Sequence, residues 1–482
     1  MANPYVTVMA LIVGVAFLQV SNGLMQLYLP MRMTMDHASS TAVSVVAAAY
    51  SAGVLAGAVL TDRMIRRVGH IRAFAVFAAA SAAATLLFPL YVSQEVWIAL
   101  RLVNGICYLG MVTVAEGWLN ARTPNEHRGG VLSFYMVASK MAVIGGQLAL
   151  MGSTDLRTHA YFTLASIGCS LALIPVALTK ISAPAIPAIS QRLRPRRLWR
   201  ISPVGVSGCF STGFANTAML SLVPAYLMTA SYPSDDVTMM MIALQTGSLV
   251  LQWPLGRLSD LCDRRIIIAI VALVSAILAA VLAIWPDPGK EVLFVLLIAW
   301  GAGSLSLYGI CAAHANDYCT PGWRSNLACG LLMSWGVGAT LGPLVADWVM
   351  GIVGPSGLFI FAAVVMGILG GFALLRMKLR RAIPLSARPN FRVRSTAHPP
   401  TGALGVVSPV EQIVEDGPLP VDGGSVSATQ RKSPVEKELN DPQNKDKSGN
   451  KSERNAKTEV LSKETTNEGT GHIPRVHNTL IE

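Results

Sequence analysis

The chain has 482 residues, of which 52% are hydrophobic and only 13% charged, and its mean hydropathy is +0.49. Soluble domains carry about a quarter of their residues as Asp, Glu, Lys or Arg, so a wholly water-soluble fold is excluded. The net charge of +11 does not point to nucleic acid, because the tail beyond residue 382 is nearly balanced and the excess lies among the apolar segments.

Apolar stretches near the length that crosses a bilayer recur through the first 376 residues. Twelve are predicted, at roughly 5–29, 38–60, 73–91, 95–119, 129–152, 158–179, 203–228, 237–257, 266–285, 290–315, 326–350 and 354–376. Runs of this length satisfy their own backbone in lipid only as helices. The expected fold class is all-α: a polytopic membrane protein with twelve transmembrane helices in two pseudo-symmetric six-helix bundles. The first run follows no basic n-region and leads to no small-residue cleavage site, so it is read as helix 1 and not as a signal peptide.

The even-numbered connections, the 6–7 connection and the start of the tail hold roughly twenty Lys and Arg, the other side about three. This bias places both termini in the cytoplasm of a multi-pass inner (plasma) membrane protein and supports an even number of spans. The domain boundaries follow: 1–179 and 203–376 as bundles, 180–202 as a Pro- and Arg-rich cytoplasmic linker, and 377–482 as a tail. With no Trp or Cys and a single Phe after Ala382, the tail cannot bury enough apolar surface to offset its ordering entropy, and disorder is expected. Seven cysteines show no metal or redox spacing and are read as packing residues. No cofactor and no metal is expected.

Two features repeat. Gly256-Arg-Leu-Ser-Asp-Leu-Cys-Asp-Arg-Arg is a charged turn between apolar runs, and about 198 residues upstream Asp62, Arg66 and Arg67 stand as Asp260, Arg264 and Arg265 do. Thr123-Pro124 and Thr320-Pro321, at the ends of helices 4 and 10, are 197 residues apart. Two matches at nearly one offset indicate an internal duplication, the architecture of transporters that rock about a central site.

The turn at 256–265 resembles the cytoplasmic loop signature of the major facilitator superfamily, Gly-x-x-x-Asp followed by a basic pair. Gly256, Leu258, Asp260, Arg264 and Arg265 match, with Asp263 where glycine is usual. The copy at 57–67 is weaker, with Gly57 one residue out of register and Ile65 at the glycine position. The segment from Glu116 to Gly129 is similar to the helix 4–5 loop of the YcaD-like branch. The resemblance implies alternating access, a cavity lined by helices 1, 4, 7 and 10, and a gate role for each loop Asp. An acid ending helix 2 or 8 can face the positive N-terminus of helix 11 or 5; breaking that contact would shift the conformational balance. The competing reading is that the basic pairs only fix topology. Ile144-Gly-Gly-Gln lacks the proline of the helix-5 antiporter signature, which weighs against the drug/proton antiporters.

Ionisable residues at membrane depth are functional candidates. Arg101 opens Arg-Leu-Val-Asn-Gly, which resembles a helix-4 pattern tied to proton traffic in proton-coupled members; alternatively it snorkels to the headgroups. Glu116 and Lys140 are expected to meet between helices 4 and 5, as a proton carrier with its partner or as a permanent packing pair. Lys140 is also a candidate to meet an anionic substrate. His314 can titrate near neutral pH; it and Asp317 can equally cap helix 10 and meet water, and Asp347 is read as interfacial. Gln19, Asn22, Gln26, Asn104, Tyr108, Asn216, Gln245, Trp300, Tyr308 and Trp335 are the cavity candidates, each competing with a role as interhelical glue. Gly53, Gly57, Gly338 and Gly342 predict close helix crossings.

No P-loop and no spacing of nucleophile, base or metal ligands is recognisable, so neither an ATP-driven pump nor an enzyme is expected. The expectation is a monomeric secondary transporter of a small organic solute, with protons as the coupling ion and the lipid bilayer as surroundings. Alternatives are a multidrug efflux antiporter with a wide apolar cavity, and a non-transporting membrane sensor that signals through its tail.

Overall fold

The computed structural model describes residues 4–123, 128–152, 155, 159–178, 194–285, 288–320 and 323–379, with the backbone alone at 4–8, 122, 128 and 129. Pro124, Pro321, most of the linker and the tail from residue 380 lie outside the described residues. The chain divides into two units, Met1–Asp416 and Gly417–Glu482, of which the second falls wholly outside them.

The described residues form fourteen helices. The first half holds α1 (Pro4–Met35), α2 (Ser40–Val68), α3 (His70–Leu87), α4 (Gln94–Arg122), α5 (Arg128–Leu148) and α6 (Ala160–Ala177). The second holds α8 (Pro203–Thr229), α9 (Ser234–Leu261), α10 (Arg264–Ile284), α11 (Lys290–Ser304), α12 (Leu307–Asp317), α13 (Arg324–Val353) and α14 (Gly357–Leu379). Ten candidate spans are long and apolar enough to cross a bilayer, α11 and α12 counting as one. The two other long helices, α8 and α9, fall outside that set. Ser, Thr, Gly and Asn punctuate α8, while Asp235, Asp236, Arg257 and Asp260 lie toward the ends of α9. Most of α8 is buried against neighbouring helices, where polarity is satisfied by protein instead of lipid.

The predicted span at 290–315 is two helices. The chain breaks at Leu305 and Ser306, just after Gly301 and Gly303. A break at this depth frees backbone groups that lipid cannot satisfy, so neighbouring side chains must. Asn216 of α8 donates its amide to the Ser304 carbonyl at 3.1 Å, and the Ser306 hydroxyl returns to the Ala302 carbonyl at 2.7 Å.

Packing repeats between the halves. In the first, α1 packs on α5 and α6, α4 on α2 and α3, and α3 on α6. In the second, α8 packs on α13 and α14, α11 on α9 and α10, and α10 on α14. Backbone contact at glycine fixes the closest of these crossings. A Cβ on Gly53 or Gly105 would sit 2.1 Å from a carbonyl oxygen of the opposite helix, where α2 crosses α4. Gly247 and Gly301 stand in the same relation where α9 crosses α11, at 2.3 and 2.0 Å. Gly23 with Gly146 (α1 and α5) and Gly213 with Gly338 (α8 and α13) repeat the arrangement. Between lipid-embedded helices dispersion replaces the hydrophobic effect, so such backbone approach supplies much of the attraction.

The end of the predicted linker is a short helix, α7 (Pro195–Ile201), which docks on the second half. Leu198 is buried against Gly330, Arg197 lies over the Trp323 ring at 4.7 Å, and Trp199 meets Phe372. The halves touch along seams where α1 meets α8, where α2 meets α13 and α8, and where α5 meets α9.

Candidate functional site

The polar cavity lies where the seams converge. Its wall is built from the later half of α1 (Asn22, Gln26), the earlier half of α2 (Tyr50, Ser51), Arg101 of α4, Thr217 and Ser221 of α8, and Trp335 of α13. Its volume is about 30 Å³, which holds about two water molecules. An organic solute therefore enters only when the halves part. Tyr50 donates to Asn22 Oδ1 at 2.7 Å, and the Arg101 guanidinium stacks 4.5 Å above the Tyr50 ring. Arg101 is thus held inside the protein and does not reach a headgroup, which removes the snorkelling alternative.

Of the ten cavity candidates, Asn22, Gln26 and Trp335 line this space. The others face elsewhere because neighbouring positions on one helix point 100° apart. Asn104 turns to Ser81 and Thr85 of α3, and Asn216 serves the break between α11 and α12. Gln19 accepts from Tyr108 at 3.0 Å, joining α1 to α4. Gln245, Trp300 and Tyr308 are buried away from the cavity wall. Helix 10, as α11 and α12, supplies no lining residue among those described, while α2 and α13 do, contrary to the set implied by the resemblance. Tyr50 was missed; its signal was a lone aromatic hydroxyl in an otherwise small and aliphatic stretch of α2.

Below the cavity a second polar group is buried. Glu116 is 2% exposed and accepts from the Tyr135 hydroxyl of α5 at 3.1 Å. The expected Glu116–Lys140 pair is not formed. Lys140 lies more than one turn beyond Tyr135 and points to the other half, where Nζ donates to Ser248 Oγ of α9 at 2.7 Å. Tyr50 and Tyr108 have ring centroids 6.1 Å apart, so side chains from Arg101 through Tyr50 and Tyr108 lead along α4 toward Glu116.

The charged turns occupy the face that carries the Arg-rich connections. Arg264, 1% exposed, reaches Asp260 at 2.7 Å and Asp317 of α12 at 2.8 Å, with Ser259 Oγ at 3.0 Å. Asp317 therefore belongs to a buried cluster and does not cap α12 toward water; its side chain is 3% exposed. Arg265 binds Asp263 at 2.7 Å and donates to the Arg376 carbonyl at the end of α14. Gly256 is buried one turn before Asp260, its carbonyl accepting from Ser259. His314 is also buried, edge-on to Tyr318.

In the first-half copy Asp62 meets Arg66 at 3.0 Å, and both are partly exposed, as is Arg67 nearby. Asn120 stands where the duplication would place a counterpart of Asp317, so the third charge is missing. Asp62 lies within electrostatic reach of Cys329 in the second turn of α13, the helix end that an acid on helix 2 was expected to face. On the opposite face two contacts join the halves: the Ser40 hydroxyl meets the Asp347 carboxylate, and the Gly152 amide donates to Asp235 at 3.0 Å. Asp347, read from the sequence as interfacial, is thus half of an inter-bundle contact.

Two six-helix bundles of matching internal packing, a polar cavity on their seam and duplicated charged turns define a membrane transporter built from two related halves. The Major Facilitator Superfamily family model matches residues 11–243 and again 206–411, and the chain belongs to that family, in its YcaD-like branch. It is 26% identical over 384 residues to the uncharacterized MFS-type transporter YcaD of Escherichia fergusonii, covering 78% of this chain and 96% of that one. The YcaD of Shigella flexneri is 27% identical over 378 residues. Among solved structures, a D-xylose-proton symporter superposes with a TM-score of 0.63 at 14% identity, over 80% of this chain and 99% of that one. The nucleoside transporter NupG gives 0.63 at 12% identity, over 78% and 100%. At these identities the structural likeness establishes the fold.

Proposed function

We propose that this protein moves a small organic solute across the inner (plasma) membrane by alternating access, coupled to protons, with both termini in the cytoplasm. The observation that carries the reading is the polar cavity on the seam between two bundles of matching packing. Rocking about that seam would expose the cavity to one side and then the other. In this conformation the Ser40–Asp347 and Gly152–Asp235 contacts join the bundles on the face opposite the basic connections. The turns at Asp62 and Asp260 would bias the reverse state.

Glu116 is the candidate proton carrier in this scheme. It is buried, on the helix that also presents Arg101 to the cavity, with Tyr108 between the two along that helix. Lys140 would act as a latch, since its bond to Ser248 must break whenever α5 leaves α9. The same gate and latch residues serve a monomer, because each seam lies within one chain.

The test is uptake by purified protein in vesicles from a mixed extract of small solutes, read by mass spectrometry with and without a pH gradient. Enrichment of particular solutes over protein-free vesicles, increased by the gradient, is expected. No enrichment under either condition would remove the transport reading; enrichment indifferent to the gradient would remove the proton coupling.

A further inference from the structure

We propose that the cavity takes an organic anion, a solute with a carboxylate head and an apolar body, and that Arg101 is its counter-ion; this deepens the transport reading above and rests on it. Arg101 is 7% exposed and lines the cavity, where no carboxylate stands. Among the described residues it has no hydrogen-bond or ion-pair partner, and its Nε is buried without one; it stacks as a cation on the face of Tyr50. A buried cation without a counter-charge is costly at membrane depth, and water of the kind the cavity has room for would hydrate it without neutralising it.

The groups around it fit the same head. Tyr50 takes up Asn22 Oδ1, leaving the Asn22 amide nitrogen as a second donor without a partner in the same cavity. The guanidinium is itself a planar, bidentate donor to a carboxylate, and the amide on the wall of the same cavity is a further donor. Met33, Val46, Leu220 and Trp335, also on the wall, offer apolar surface for the body of the solute. Gln26 Oε1, also without a partner, would select a hydroxyl or N–H on that body. A cationic solute would be repelled here, and a neutral one would leave the guanidinium uncompensated.

The experiment uses the full chain in lipid nanodiscs and follows its thermal unfolding midpoint. Butyrate and benzoate are each compared with their primary amides, butyramide and benzamide, and with chloride and inorganic phosphate. Stabilisation by a carboxylate and not by its amide is expected, weakened at least ~10-fold in apparent affinity by Arg101→Gln and less by Arg101→Lys. Should Arg101→Gln fail to fold, Arg101→Lys and Asn22→Ala carry the comparison. Equal stabilisation by acid and amide, no stabilisation by either acid, an equal effect of chloride or phosphate, or a carboxylate effect unchanged by the variants would each overturn the proposal. Vesicle uptake separates the two readings. A carboxylate that binds through Arg101 but is never taken up leaves the anion site standing and removes transport. Uptake of neutral solutes with no carboxylate binding does the reverse.

Discussion

Arg264 holds Asp260 at 2.7 Å and Asp317 at 2.8 Å, so one buried guanidinium ties the end of α9 to the end of α12 inside the second bundle. The charged turn is therefore first a clamp within a bundle, and any gating acts on a rigid end. Bundles that move as units need such ends.

The three partners are not equivalent. Arg264→Gln leaves Asp317 buried beside a neutral group and is expected to lower stability by about 3–5 kcal/mol. Asp260, 23% exposed, still leaves Arg264 a partner when replaced, so Asp260→Asn should lose about 1 kcal/mol or less while slowing transport. Asp62→Asn, on an exposed pair, should do less to both. Unfolding midpoints and uptake rates for the three variants check this order; normal turnover in Asp260→Asn would rule out the gate.

Glu116→Gln is expected to abolish gradient-driven accumulation while exchange of solute across the membrane survives, since a fixed neutral charge still permits rocking. Accumulation against exchange in reconstituted vesicles separates the two. Full accumulation by the variant would shift the proton role to His314 or Asp317.

Because Lys140 binds Ser248 and not Glu116, the changes Lys140→Ala and Glu116→Gln should add in stability to within about 0.5 kcal/mol. Lys140→Ala and Ser248→Ala should not add, sharing one bond. Double-mutant cycles on the unfolding midpoint measure both; strong coupling between Lys140 and Glu116 would contradict the observed seam.

Gly105→Ala forces a Cβ onto the Tyr50 carbonyl and is expected to destabilise by about 1–3 kcal/mol. Gly117→Ala, with nothing within 4 Å of the added atom, should be neutral or mildly stabilising. Comparable losses in both would remove the close crossing as the cause.

A disulfide between Ser40→Cys and Asp347→Cys should stop turnover reversibly, because it staples α2 to α13 on the face that must open. Uptake before and after reductant is the measurement. Undiminished uptake in the crosslinked protein would mean that the two ends never separate.

Length of apolar run, distribution of Lys and Arg, and the 197- to 198-residue repeat are properties of the chain in one dimension. They were enough to predict an all-α membrane protein of two related halves, and to find Asp260, Arg264 and the small-residue crossings at Gly53 and Gly338. The sequence could not say which way each helix turns about its own axis. That rotation is set where backbones meet at Gly23, Gly105, Gly213 and Gly301, and a shift of one residue swings a side chain by 100°. It sends Lys140 across the seam to Ser248 instead of to Glu116, spends Asn216 on the broken helix instead of the cavity, and brings Tyr50 beneath Arg101. Hydrophobicity decides what enters the membrane; packing between helices decides which polar groups face one another there.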